Sequence, residues 1–190
     1  SRPASYFSAI QTTFPSTCQV LRPWPELPPQ KRALFIMQNH WGCKAEWEST
    51  NWVLNLGVFA AGQPVGMVSL RGKEFATLRE VTTGSWLGLE FQGKGYGTEA
   101  RTALLHFAFE QLGAVAARTE VFQDNAASQG VSRKLGYEPD GISRDVLDGQ
   151  VIVSDRLRLT REKWQHCTHL PVSVTGFESC EKFFLGETLF

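Results

Sequence analysis

The run Gly88-Leu89-Glu90-Phe91-Gln92-Gly93-Lys94-Gly95-Tyr96-Gly97-Thr98 sets glycines between an apolar, strand-like stretch and a strongly periodic helix. Glycine lets a backbone turn through positive φ and approach a ligand closely, and the first amides of the following helix have no partner inside it. Bare N–H groups, with the positive end of the helix dipole behind them, favour an anion such as a pyrophosphate. Three nucleotide-binding patterns compete for these residues. Gly88, Gly93 and Lys94 open like a P-loop, but that motif next needs Ser or Thr to hold magnesium, and Gly95 stands there. Gly95, Gly97 and Ala100 fit the looser dinucleotide fingerprint, with Glu120 at about the ribose-binding distance of roughly 20 residues. Its glycines should follow a first strand directly, whereas here Glu90 to Lys94 intervenes and two expected strands lie upstream. The third pattern is Gln92-x-x-Gly95-x-Gly97.

Three further motifs flank that pattern: Gly84-Ser85-Trp86-Leu87-Gly88-Leu89 before it, then Asp124-Asn125-Ala126-Ala127-Ser128 and Arg133-Lys134-Leu135-Gly136-Tyr137 after it. In this order the four resemble the GNAT family of acyl-CoA-dependent N-acyltransferases, from about Trp52 to Trp164, and within it the ribosomal-protein N-terminal acetyltransferase branch. A subgroup that includes a succinyl-CoA-binding member shares the Gly84–Leu89 run and is similar into the C-terminal tail. The resemblance implies an α/β GNAT fold, a mixed central sheet flanked by helices, as a single domain over residues 1–164 with a C-terminal extension over 165–190. The family's N-terminal strand and helix are altered or missing, because Ser1 to Pro29 supplies a poor version of them.

The same resemblance implies acetyl-CoA or succinyl-CoA as co-substrate, a primary amine on a small molecule or a protein N-terminus as acceptor, and no metal. Gln92, Gly93, Lys94, Gly95, Tyr96, Gly97 and Thr98 would hold the pyrophosphate through backbone amides. Trp86, Leu87 and Leu89 would lie beside the pantetheine arm and offer an amide to the thioester carbonyl, freed by a bulge near Gly88. Asn125 and Ser128 would complete the cofactor site. Many relatives carry a tyrosine acid in the helix after the second motif, and that position aligns with Ser132. In the ribosomal-protein branch a serine three residues after the asparagine is the candidate donor, which maps to Ser128. Ser128 and Ser132 stand four apart on one helix face. Ser128 could instead satisfy helix N-terminal amides, Lys94 could be solvated and Tyr96 could merely pack. The branch often has a glutamate where Thr82 stands, leaving Glu80, Glu90, Glu120 and Asp155 as the carboxylates to consider as base. A CoA-binding module without catalysis and a nicotinamide-dependent oxidoreductase are the rival readings.

The elements that must position these residues follow from periodicity and turn chemistry. Ser1 to Pro29 reads as irregular, with a short strand near Cys18 to Leu21, and Gln30 to Trp47 as helical. Trp52–Ala60 and Gly66–Arg71 form a hairpin through Ala61-Gly62-Gln63-Pro64, and Val81–Leu89 is the next strand. From Thr98, Ala100, Ala103, Leu104, Phe107, Ala108 and Leu112 recur at helical spacing, with Glu99, Arg101, His106 and Glu110 on the opposite face and Gly113 as stop. Val115–Phe122 is a strand, joined to the earlier one by a right-handed crossover. Asp124 or Asn125 caps a second helix reaching Leu135, with Ala127, Val131 and Leu135 inward. Ile142–Leu147 and Val151–Leu159 flank the hairpin signal Asp148-Gly149, and Val172–Thr175 adds a short strand.

With 190 residues and 42% hydrophobic content the chain can bury the core of one domain. Its formal net charge of zero gives no bulk attraction to nucleic acid or to a membrane surface. Its apolar stretches fall short of the ~20 residues that span a bilayer, and the N-terminus lacks a secretion signal. Cys18, Cys43, Cys167 and Cys180 show no C-x-x-C spacing, so free thiols in the cytoplasm are expected. His166, Cys167, His169 and Cys180 match no standard zinc spacing. A homodimer stays open.

Overall fold

The computed structural model describes residues 28–147, 149–167 and 171–185. The expected strand near Cys18 to Leu21 lies outside them, as do Asp148 and His169. A six-stranded sheet runs in the order β1-β2-β3-β4-β6-β5. Its strands are β1 (Asn51–Ala60), β2 (Gln63–Lys73), β3 (Glu80–Leu87), β4 (Ala116–Phe122), β5 (Glu138–Leu147) and β6 (Gln150–Thr160). The helices are α1 (Pro29–Ala45), α2 (Phe75–Leu78), α3 (Tyr96–His106), α4 (Ala126–Lys134), α5 (Arg161–Gln165) and α6 (Lys182–Leu185). This is the mixed α/β architecture the sequence implied. Every adjacent strand pair is antiparallel except β3 and β4. A doubly wound parallel sheet, which dinucleotide binding at Gly95 and Gly97 would need, is therefore absent from the described residues.

The parallel pair is short. It holds only over Glu80–Ala116, Val81–Ala117 and Thr82–Arg118, after which the two strands part. Side-chain hydroxyls finish what the ladder leaves: Thr83 Oγ1 donates to Arg118 O at 3.2 Å and Thr119 Oγ1 to Thr83 O at 3.1 Å. The crossover between the strands is α3, whose Leu104 and Leu105 pack with Val68, Leu70, Val81 and Ala117 on one sheet face. The helix ends in a π-type turn over Phe107–Gln111, and Gly113 stops it at φ +68°.

Four expectations are corrected. The bulge near Gly88 does not form: the β2–β3 register is unbroken to Gly66–Leu87, and Gly88 N donates to Val65 O at 3.0 Å. Arg101 is not on a polar face but 1% exposed, because it continues the buried row Leu105, Ala108, Leu112 at i+4, i+7 and i+11. In α4 Val131 packs on the core and Leu135 just after it is buried as expected, but Ala127 is exposed at the groove. The buried helical positions are Ser128 and Ser132, the latter because its hydroxyl meets the buried Arg101. Residues 172–175 form no strand. That segment lines a groove with Ala100, Ala103 and Leu104 of α3, and beyond it Phe177 and Phe184 enter the core next to Trp52 and Phe107.

Candidate active site

Where β3 and β4 part, a groove of about 290 Å³ opens between α3 and α4. On one side the chain leaves β3, makes a single 3-10 turn over Leu89–Phe91, and enters α3 through Gly93 and Gly95 at φ +72° and +92°. Those backbone angles strain any residue with a Cβ, which accounts for two of the loop's glycines. Thr98 N and Glu99 N bond back to Gly95 O, so the helix begins at once and its first amides stand at the groove. At Gly97 a Cβ would meet Leu87 Cδ1 at 3.4 Å.

The opening of the sheet does the work expected of a bulge. Gly88 N points to β2, and in an antiparallel pair the next residue back points its N–H the other way. Leu87 N therefore faces the gap left by β4, while Leu87 O accepts from Gln92 Nε2 at 3.2 Å. Gln92 thus ties the loop to the strand end rather than reaching outward.

Across the groove, Asn125 caps α4: its Oδ1 accepts from Ser128 N at 3.0 Å. The cap answers the alternative reading of Ser128, whose hydroxyl is not spent on helix amides. Ser128 Oγ is buried and has no hydrogen-bond partner among the described residues. Ser132 Oγ, one turn on, accepts from Arg101 Nη1 at 3.1 Å. The Arg101 guanidinium lies over the Tyr137 ring at 5.2 Å, and Tyr137 Oη shares a hydrogen bond of 2.9 Å with Thr83 Oγ1.

Of the residues expected at the cofactor, Trp86, Leu87, Gln92, Gly93, Gly95, Gly97, Thr98 and Ser128 line this groove together. Leu89 and Lys94 are exposed, Lys94 beside the Phe91 ring at 5.8 Å. Tyr96 is half-buried in the first helical turn, and Asn125 acts through its cap. Sequence reasoning missed Ser85 and Arg101 in the lining, and on α4 Ala126, Ala127, Gly130, Val131 and Lys134. The signal for Arg101 was present in its spacing from Leu105, Ala108 and Leu112.

The carboxylates separate by environment. Glu80 is held by Arg118 and Arg158 at 2.6 and 2.5 Å, and Asp155 accepts from Gln123 Nε2 and Gln129 Nε2, both at 2.9 Å. Glu90 is exposed. Glu120 differs: one carboxylate oxygen is buried without a partner among the described residues, and burial pushes its carboxyl up from the ordinary value. The Asp145 charge adds to that rise, while Ser143 and Arg156 oppose it. By strand alternation and register, Glu120 shares a sheet face with Thr82 and Trp86, opposite the face that carries α3. Among the described residues no three His, Cys, Asp or Glu side chains gather as a metal would require.

Comparison with known proteins gives the family and the fold. A Bacillus subtilis protein provisionally named ribosomal N-acetyltransferase YdaF is 31% identical over 94 residues, 50% of this chain and 51% of its own length. The chain thus spans about half of that curated relative. A solved structure from Vibrio cholerae, provisionally described as a ribosomal-protein-serine acetyltransferase, is 26% identical with TM-score 0.56, covering 70% of this chain and 76% of its own. A T. thermophilus structure described provisionally as an acetyltransferase superposes with TM-score 0.62 at 24% identity, over 73% and 72% of the two chains, a likeness of fold. The acetyltransferase (GNAT) domain pattern matches residues 8–138, and the chain belongs to that family.

Proposed function

We propose that this chain moves an acetyl or succinyl group from acyl-CoA to a primary amine by direct attack within a ternary complex. The observation that carries this reading is the groove at the end of β3, beyond its short pairing with β4, where Trp86, Leu87, the glycine loop and Ser128 meet. The pyrophosphate lies on the first amides of α3, and the pantetheine arm runs along Trp86 and Leu87 into the gap. Leu87 N–H then meets the thioester carbonyl as it becomes an oxyanion. The amine approaches from the face that carries Glu120, whose raised carboxyl suits a base working nearer neutrality. Ser128 supplies a proton on the opposite side, directly or through water. The names of the relatives put a ribosomal-protein terminus among the acceptors to test beside small amines, with donor and acceptor drawn from the cytoplasm.

Saturable binding of acetyl-CoA and succinyl-CoA, measured calorimetrically, tests the reading. Gly97→Glu places a carboxylate chain across the groove and should abolish binding with little change in thermal unfolding. Binding that survives this substitution would sink the assignment. Release of free thiol from the thioester with a panel of amines separates an enzyme from a CoA-binding module, which would bind without turnover.

A further inference from the structure

We propose that Arg101 receives the negative charge of the departing CoA thiolate. The proposal rests on the acyl-CoA reading above and adds a residue that neither the glycine motif nor the serine motif contains. Arg101 is 1% exposed, yet it lines the groove with Ser85 and Ser128. Its Nη1 is used by Ser132 Oγ, while Nε and Nη2 are buried without partners among the described residues. A buried cation is costly unless an anion and hydrogen-bond acceptors meet it, and among the described residues Arg101 meets a hydroxyl and the Tyr137 ring. A positive charge with two unpartnered donor nitrogens, both buried, therefore stands in the groove wall.

The ligand must bring the anion. Its pyrophosphate is met by amides at the first turn of α3, and Arg101 stands a further turn along, about 6 Å from Gly97 at the helical rise. Acyl-CoA also carries a 3′-phosphate, and succinyl-CoA a carboxylate, but both are present before reaction; the anion that appears only on reaction is the thiolate. As the amine nitrogen bonds to the thioester carbon, the nitrogen gives up a proton to a base. Collapse of the tetrahedral intermediate then breaks the C–S bond and leaves the electron pair on sulfur. The guanidinium holds that thiolate until Ser128 or water returns a proton, giving amide and free CoA thiol. A charge that appears only at this stage is one whose stabilisation raises turnover rather than ground-state affinity. Ser132 and Tyr137 act as positioning residues, fixing the guanidinium from the α4 side.

The test compares CoA with desulfo-CoA, which keeps every phosphate and the arm but has no sulfur. In the wild-type complex the ultraviolet thiolate band of bound CoA should appear well below the ordinary thiol value of about 8.5. In Arg101→Met the band should return to the pH of free CoA and kcat should fall on the order of 100-fold, the scale of one lost transition-state donor. Desulfo-CoA affinity should stay unchanged, which also shows that the groove is intact, and Arg101→Lys should restore part of the band shift. Equal weakening of CoA and desulfo-CoA would overturn the proposal in favour of a structural or phosphate role. Loss confined to succinyl-CoA would overturn it in favour of a carboxylate receptor. An unshifted thiol in the wild-type complex would overturn it without any variant, whereas failure of both ligands to bind wild-type protein would remove the acyl-CoA reading itself.

Discussion

At the residue scale, the proposed chemistry is divided between two faces of one sheet. Glu120 sits on the face opposite α3, where the proposal has a base meeting the incoming amine. Ser128 and Arg101 line the groove on the α3 side, where the proposal has the sulfur leave. Desolvation raises the Glu120 carboxyl above its ordinary 4.5, so the carboxyl is neutral below its raised pKa and becomes a base only as pH climbs past it. Glu120→Gln should accordingly lower kcat/KM by about 100-fold near pH 7, within the usual range for general bases. The deficit should shrink as pH approaches the pKa of the amine, where free amine no longer needs a base. A deficit that is the same at every pH would assign Glu120 a positional role. The same sign holds for stability: ionising a buried carboxylate is unfavourable to the native state, so the Gln variant should be at least as stable at neutral pH.

At the element scale, the turns and glycines announced the loop because their constraints are local. Gly93, Gly95, Gly113 and Gly149 all take positive φ where the sequence reading set turns, helix stops or the loop. The hairpins were legible for the same reason, since alternation and turn residues lie within a few positions of one another. What escaped was set by distant partners. Arg101 reads as a surface residue until α4 lays Ser132 and Tyr137 against it, and the freed Leu87 amide comes from β4 parting rather than from a kink within β3. The α4 N-terminus shows how an element positions chemistry. Asn125→Ala removes the cap and should cost about 1 kcal/mol in denaturant unfolding. It should also lower kcat toward the level of Ser128→Ala, because an uncapped first turn no longer holds the hydroxyl in the groove. Asn125→Asp keeps an accepting oxygen and should recover most of both losses. If Asn125→Ala and Ser128→Ala combined gave fully additive losses in kcat, the two side chains would be acting independently.

At the scale of the whole molecule, residues well beyond the four motifs complete the core. Phe184 is 4% exposed and packs edge-on against Trp47 and Trp52 at 5.1 and 5.0 Å, with Phe107 and Phe177 also in reach at 5.9 Å each. The indoles of Trp47 and Trp52 donate to Phe183 O and Phe184 O, both at 3.2 Å. These contacts bridge 136 and 132 positions of chain, a separation no local pattern could reveal. They pin the tail beside Ala100, Ala103 and Leu104 of α3 and against Trp52 at the start of β1. Phe184→Ala should therefore behave as a core truncation and cost about 3–5 kcal/mol, where a residue in a surface tail would be worth at most about 0.5. The loss should appear as a lower denaturant midpoint at unchanged slope, since the exposed area on unfolding is nearly the same. Below its transition the variant should still bind acetyl-CoA with wild-type affinity, because the glycine loop and the α4 cap lie on other contacts. A fall in affinity parallel to the loss of stability would instead show that the tail holds α3, and with it the groove, in register.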